Sequence, residues 1–257
     1  MKRLPLNKDL TQNQIKLSED QTHYLTRVLR LSEGSEVVGF DGQGYQRCFA
    51  LAYENYQWIL IGKGDLKQGQ SRFPIGLCYG IPKGEKLDLV VRQLTELGVH
   101  TLDLFQAKRS VSIWKKEKVK SKLNRLNKVI EQAARQSHQT TLLTLSPPQP
   151  LHQMIQRYQS IPLKLYLDPT ASSGWPTSSD LDYTPSMTNL IQDSSRSHNE
   201  LHCMLLVGPE GGLDPQEIEL LNANGWQGIR LNTPILRTET AAIVACSLAL
   251  DRLGFMI

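Results

Sequence analysis

The chain has 257 residues, 40% of them apolar, with 29 Lys/Arg against 25 Asp/Glu, enough for one large domain or for a small one plus a medium one. No apolar run approaches the roughly 20 residues that span a bilayer, and the opening MKRLPLNKDLTQNQ lacks the apolar core of a signal peptide, so a cytoplasmic protein outside the membrane is expected. Cys48, Cys78, Cys203 and Cys246 are scattered and the six histidines fall in no ligand spacing, which argues against a metal site or a disulfide framework.

The charge is uneven. Residues 1–136 carry 23 Lys/Arg against 14 Asp/Glu, whereas residues 137–257 carry 6 against 11. A basic first half suggests a polyanionic partner. Along the chain, DQTHYLTRVLR reads as a short helix bearing His23, Arg27 and Arg30. EVVGF, YQRCFALAY and YQWILIG follow as strands, and Asp41-Gly42 marks a hairpin. A small β-rich domain over residues 1–72 is therefore expected.

From residue 73 strands alternate with helices. IGLCYGI is a buried strand; GEKLDLVVRQLTELGV places Leu87, Val90, Val91, Leu94 and Leu97 on one helical face, closed by Gly98. TLDLFQA is the next strand. WKKEKVKSKLNRLNKVIEQAARQS is a long helix with Val119, Leu123, Leu126, Ile130 and Ala133 turned inward. LKLYLD, CMLLVG and GIRL are further strands. This order predicts an α/β domain over 73–257 with a mostly parallel sheet covered on both faces. Residues 168–200 are rich in Ser, Thr, Asp and Pro and are expected to form a flexible insertion.

Two places carry the chemistry. The apolar run MLLV (204–207) ends on Gly208-Pro209-Glu210-Gly211-Gly212. Asp214-Pro215-Gln216-Glu217 then combines an Asp cap, Pro at the first helical position and a capping-box Glu. The loop between is tight and poor in side chains, at the strand end where open parallel sheets bind ligands. No P-loop or GxGxxG spacing is present. The second place is ILRTETAA (235–242), where Thr238 can cap the last helix and Glu239 suits its positive end. Arg237 is then fixed at the helix mouth, suited to an anion.

LLVGPEGGLDPQEIELL, LNTPILRTETAA and PKGEKLDLVVRQLTELGV together resemble the small-subunit ribosomal RNA methyltransferase E family, among the knotted SPOUT methyltransferases. The likeness spans nearly the whole chain and includes HYLTRVLRLSEGSEVVGFDGQG, RSV at 109–111 and EQAARQS at 131–137. It implies a PUA-like RNA-binding β-barrel followed by an α/β domain with a carboxy-terminal trefoil knot. It also implies S-adenosyl-L-methionine as cofactor, a homodimer formed through the knot domain, and methylation of uridine N3 in 16S rRNA of the small ribosomal subunit. The chain departs from the family pattern at Asn232, at Pro234, at SHQT (137–140) and in the length of 168–200.

The resemblance further implies that the cofactor lies between the two loops, held by Leu206, Val207, Gly208, Gly211 and Gly212 and by Leu231, Asn232 and Leu236. Leu167, Thr238, Thr240 and Ala241 complete that set. Arg237 is the candidate catalytic cation, with Glu210 and Glu239 as candidate proton acceptors. Residues 108–135 hold ten Lys/Arg and two acids, so Arg109, Lys115, Lys118, Lys122 and Arg135 are candidate phosphate contacts, as are Arg3, His23, Arg27, Arg30, Arg47 and Lys83. Two other readings are a SPOUT enzyme acting on tRNA or a ribose 2′-OH, and a catalytically idle RNA-binding module for ribosome assembly.

Overall fold

The computed structural model describes residues 1–6, 8–69, 73–84, 86–175, 201–253 and 255. The expected insertion therefore lies outside the described residues from 176 to 200. The chain divides into two compact units, Met1–Ser71 with Glu131–Leu142, and Arg72–Ile130 with Leu143–Ile257.

The first unit is built on one mixed sheet of β1 (Lys2–Pro5), β2 (Gln14–Lys16), β3 (Glu36–Phe40), β4 (Tyr45–Glu54) and β5 (Gln57–Gln68). Their order is β1-β3-β4-β5-β2, with β1 parallel to β3 and the other pairs antiparallel. Asp41 makes the β3–β4 turn: its carboxylate accepts the N–H groups of Gln43 at 2.7 Å and Tyr45 at 3.0 Å, while Gly42 takes φ 77°. That mechanism is why an Asp-Gly pair marks a hairpin. The helix over residues 19–28 starts on a full capping box between Ser18 and Gln21. It then widens, so that α1 (Glu19–His23) continues as a π-turn at Tyr24–Val28. Leu4, Leu6, Ile15, Leu25, Val37, Phe49 and Leu60 are among the residues that close this unit's core.

In the second unit β6 (Phe73–Gly80), β7 (Val99–Gln106), β8 (Thr144–Pro150), β9 (Leu163–Leu167), β10 (Cys203–Val207) and β11 (Gln227–Ile229) form a six-stranded sheet. The order is β11-β9-β10-β6-β7-β8 and every pair is parallel. Helices α2 (Lys86–Glu96), α4 (Leu151–Arg157), α5 (Pro215–Ala223) and α6 (Thr238–Arg252) accompany it, and α3 (Lys116–Gln136) runs from this unit into the segment grouped with the first. Helix α6 packs on β6, β10 and α2, whereas α4 packs on β7, β8 and α5. All five residues of β10 are buried, and Met204 and Leu206 share a core with Leu151, Met154 and Ile155 of α4 and Leu221 of α5. Burial on both faces explains the unbroken apolar run at 203–207.

Strand order reverses between β6 and β10. The chain moves from β6 outward through β7 and β8, then returns to lay β9 and β10 on the other side. Such a reversal opens a crevice beyond the strands' carboxyl ends. The segments leaving β6, β10 and β11 all emerge there.

Candidate functional site

The Gly208–Gly212 loop is glycine-rich because other loops lean on it. A Cβ on Gly211 would stand 2.8 Å from the Arg109 carbonyl oxygen, and one on Gly80 would stand 2.7 Å from the Pro209 nitrogen. Gly212 adopts φ 69°, which a side chain disfavours. These glycines let the segments after β6, β7 and β10 approach backbone to backbone.

Polar groups then tie the loops together. Asp214 caps α5 with Pro215 at its first turn, and Glu217 completes the capping box. The Glu217 side chain is 6% exposed as a residue and accepts from two directions: Asp214 N–H at 2.8 Å and Lys108 N–H at 2.9 Å. One carboxylate thus closes its own helix and pins the loop after β7. The Thr238 hydroxyl donates to the Gly208 carbonyl at 2.8 Å, joining α6 to the end of β10. Thr238 was expected to cap α6. The structure corrects this: the cap residue is Arg237, with extended φ −63° and ψ 150°, and Thr238 is already helical. The hydroxyl is committed to Gly208.

Glu210 and Glu239 come together on one cation. Lys86 Nζ lies 3.1 Å from Glu210 Oε1 and 3.3 Å from Glu239 Oε2. The Glu210 carboxylate also accepts the Lys83 N–H, at 3.2 Å and 3.4 Å to its two oxygens. Burial alone would raise the Glu210 carboxyl, yet its own backbone N–H, the Lys86 ammonium and the Lys83 N–H hold it below the ordinary carboxylate value. The Lys86 ammonium is raised in turn, first by its hydrogen bond to Glu210. Tyr79 is buried at the end of β6. Burial pushes that phenol up, with Thr238 beside it and Glu239 and Glu210 adding negative field.

A pocket is lined by Leu167 at the end of β9, by Asp168 and Pro169 after it, by Ile229–Leu231, by Thr233–Leu236, and by Ala241 of α6. Four of the expected cofactor residues, Leu167, Leu231, Leu236 and Ala241, meet in it. Leu206 and Val207 are buried in the sheet. Gly208, Gly211 and Gly212 belong to the braced loop, while Asn232 and Thr240 are exposed near the pocket's rim in sequence. Arg237 is exposed at the mouth of α6 and its side chain makes no capping bond. Sequence reasoning missed Lys86, Asp168 and Gly80. No local sequence signal marks Lys86, since its partners Glu210 and Glu239 lie far along the chain.

The candidate RNA contacts separate into two sets. Arg47 is spent internally, donating to the carbonyls of Gly64, Leu10, Thr11 and Gln12 and lying over Phe49. Arg3 donates to Gln46 and the Gln139 carbonyl and lies over Phe40. Arg135 stacks on Tyr24 and Lys122 on Trp114, each at 4.6 Å. His23, Arg27, Arg30, Lys83, Arg109, Lys115 and Lys118 are exposed; Arg109 has only a 3.9 Å ion pair to Asp214.

A parallel α/β unit with a pocket beyond its strand ends is a ligand-binding frame. Residues 69–250 match the family model described as an RNA methyltransferase domain, and the chain belongs to that family. It is 27% identical over 247 residues to the ribosomal RNA small subunit methyltransferase E of Bacillus subtilis (strain 168), covering 93% of both chains. Among solved structures, a Legionella pneumophila methyltransferase in complex with the bound cofactor SAM matches with TM-score 0.79 and 25% identity, over 97% of this chain and 96% of that one. The Neisseria gonorrhoeae ribosomal RNA small subunit methyltransferase E shares the fold, with TM-score 0.78 and 22% identity over 98% and 97% of the two chains.

Proposed function

We propose that this protein is an S-adenosylmethionine-dependent methyltransferase that modifies N3 of a uridine in 16S rRNA of the small ribosomal subunit. The observation that carries the reading is the pocket walled by the segment after β11, the end of β9 and the mouth of α6, in a chain of the RNA methyltransferase family. The residues fit the cofactor: Leu167, Ile229, Leu231, Ile235, Leu236 and Ala241 offer apolar surface for a purine, and the segment carries peptide groups to read its edge. When bound, S-adenosylmethionine supplies an electrophilic methyl group on a sulfonium.

The chain's own residues do the rest. Uridine N3 must give up its proton, and negative charge then spreads to O2 and O4. Arg237, held at the helix mouth, supplies a guanidinium to stabilise that charge. Both carboxylates meet Lys86; Glu210 also accepts the Lys83 N–H and acts as a brace, so Glu239, with fewer donors on it, is the proton acceptor. The exposed cations Arg27, Arg30, Arg109, Lys115 and Lys118, with the His23 side chain as a hydrogen-bonding group, serve the RNA backbone. The reading includes a PUA-like first unit, a knotted second unit, a homodimer and a cytoplasmic setting. Among the described residues no helix is long and apolar enough to cross a membrane.

The test joins two measurements. Calorimetric titration with S-adenosylmethionine should give a dissociation constant in the ordinary cofactor range, about 1 μM to 1 mM. Mass mapping of 16S rRNA from cells with and without the gene should reveal one methylated uridine that depends on it. A chain that binds no cofactor, or rRNA with unchanged methylation, removes the reading.

A further inference from the structure

We propose that Lys86 is a positioning residue for methyl transfer: its ammonium bridges Glu210 and Glu239 and so holds the mouth of α6, with Arg237, against the loop that follows β10. The inference rests on the methyltransferase reading above. Three elements far apart in sequence meet at this ammonium. Lys86 is the first residue of α2, Glu210 sits in the loop after β10, and Glu239 is in the first turn of α6. Lys86 Nζ stands 3.1 Å from Glu210 and 3.3 Å from Glu239. Its side chain is 34% exposed and that of Glu239 is 11% exposed, so the pair is shielded more than a surface ion pair.

The position of the cluster decides which step it serves. The pocket assigned to the cofactor is lined by residues after β9 and β11 and by Ala241; neither Lys86 nor Glu210 lines it. Arg237 immediately precedes Thr238 and Glu239, and both of those are pinned, one to Gly208 and one to Lys86. Loss of the ammonium would loosen Glu239 in the first turn of α6, while Thr238 stays bonded to Gly208 and the cofactor walls supplied by the ends of β9 and β11 stay in place. The reacting geometry, rather than cofactor affinity, should carry the loss.

Charge gives a second readout. The groups facing one another are Lys86 from α2, Glu210 from the β10 loop, Glu239 from α6 and the buried Tyr79 hydroxyl from β6; Lys83 contributes its main-chain N–H. Without the ammonium two carboxylates confront each other with no cation between them. One must then take up a proton at higher pH.

The experiment is steady-state methylation of small-subunit rRNA by the full chain carrying Lys86→Met or Lys86→Arg. For Lys86→Met kcat should fall about 10- to 100-fold, as expected for a misplaced catalytic group, while KM for S-adenosylmethionine stays near the parent's. The acidic limb of its pH–rate profile should move up by about one pH unit. Lys86→Arg keeps the charge and can reach two carboxylates, so it should recover most of kcat and the parent's acidic limb. It also serves as the test if Lys86→Met does not fold, because a neutral Lys86→Gln must then differ from it in the same two ways. A Lys86→Met enzyme with parental kcat and pH profile overturns the inference, as does one whose loss lies in KM for the cofactor alone. A parent chain that methylates nothing sinks the methyltransferase reading itself, a different result from an active parent indifferent to Lys86.

Discussion

Replacing Glu217 by Gln tests how the site's loops are held. Both oxygens of the buried Glu217 carboxylate accept backbone N–H groups, from Asp214 and from Lys108. A glutamine offers one acceptor oxygen and one NH₂ group, so either N–H must face another donor in a buried place. Losing a charge-assisted hydrogen bond costs about 1.5–3 kcal/mol, and a stranded donor costs about 1–3 kcal/mol. Some of this overlaps, so about 2–4 kcal/mol is expected, a large part of a typical domain's stability. Trp226 is buried in the same cluster as Leu213 and Leu221, so in a background with Trp58, Trp114 and Trp175 replaced by Phe its fluorescence follows the second unit during urea unfolding. With a slope of about 2–3 kcal/mol per molar urea, the midpoint should drop by about 1 M. Glu219, exposed on the same helix, is the control, and Glu219→Gln should change stability by less than about 0.5 kcal/mol. If the two variants unfold at the same urea concentration, the double-acceptor role of Glu217 is refuted.

Further outcomes follow from the same geometry. Gly211→Ala drives a methyl group against the Arg109 carbonyl at 2.8 Å; methyl transfer should fall while the S-adenosylmethionine titration changes little, and an unchanged rate would show that the loops have room. Arg237→Ala should abolish transfer and only weaken cofactor binding, so parental turnover by that variant removes Arg237 from the chemistry. Because the folded-state Glu210 carboxyl is held below its ordinary value of 4.5, its stabilising share is present above that pH and lost as pH falls through the depressed value. The melting-temperature gap between the parent and Glu210→Gln should therefore close on acidification below pH 4.5, and a gap constant across that window would contradict the assignment. Burial raises the thiols of Cys78, Cys203 and Cys246, that of Cys203 to about 12, so native iodoacetamide labelling should reach Cys48 first. Affinity for 16S RNA should decline steeply with salt, in proportion to the phosphates neutralised; a flat response would deny the exposed cations that role.

Several strands escaped the sequence pattern for physical reasons. β8 (Thr144–Pro150) contains Pro147 and Pro148, which cannot donate to a ladder; it exists because it is an edge strand with one neighbour. β1 and β2 are short edges with too few residues to display a period. The β4–β5 turn uses Asn55 and Tyr56 at positive φ, where a glycine would have advertised it. Arg47 looked like any basic residue near a polyanion site, yet four carbonyls consume its donors.

Local rules were enough to determine the α/β order from residue 73, the buried β10 run, the capped start of α5 and the two consequential loops. Those features depend on contacts within a few residues, so hydrophobic period and capping chemistry expose them directly. Only the folded chain could decide that the glycines of the first loop serve loop-to-loop packing, that the pocket belongs chiefly to the second, and that Lys86 and Glu217 bind the elements together. Each of those facts joins residues from different strand ends of the sheet. Their proximity is created by a strand order that reverses between β6 and β10, and no local pattern encodes it.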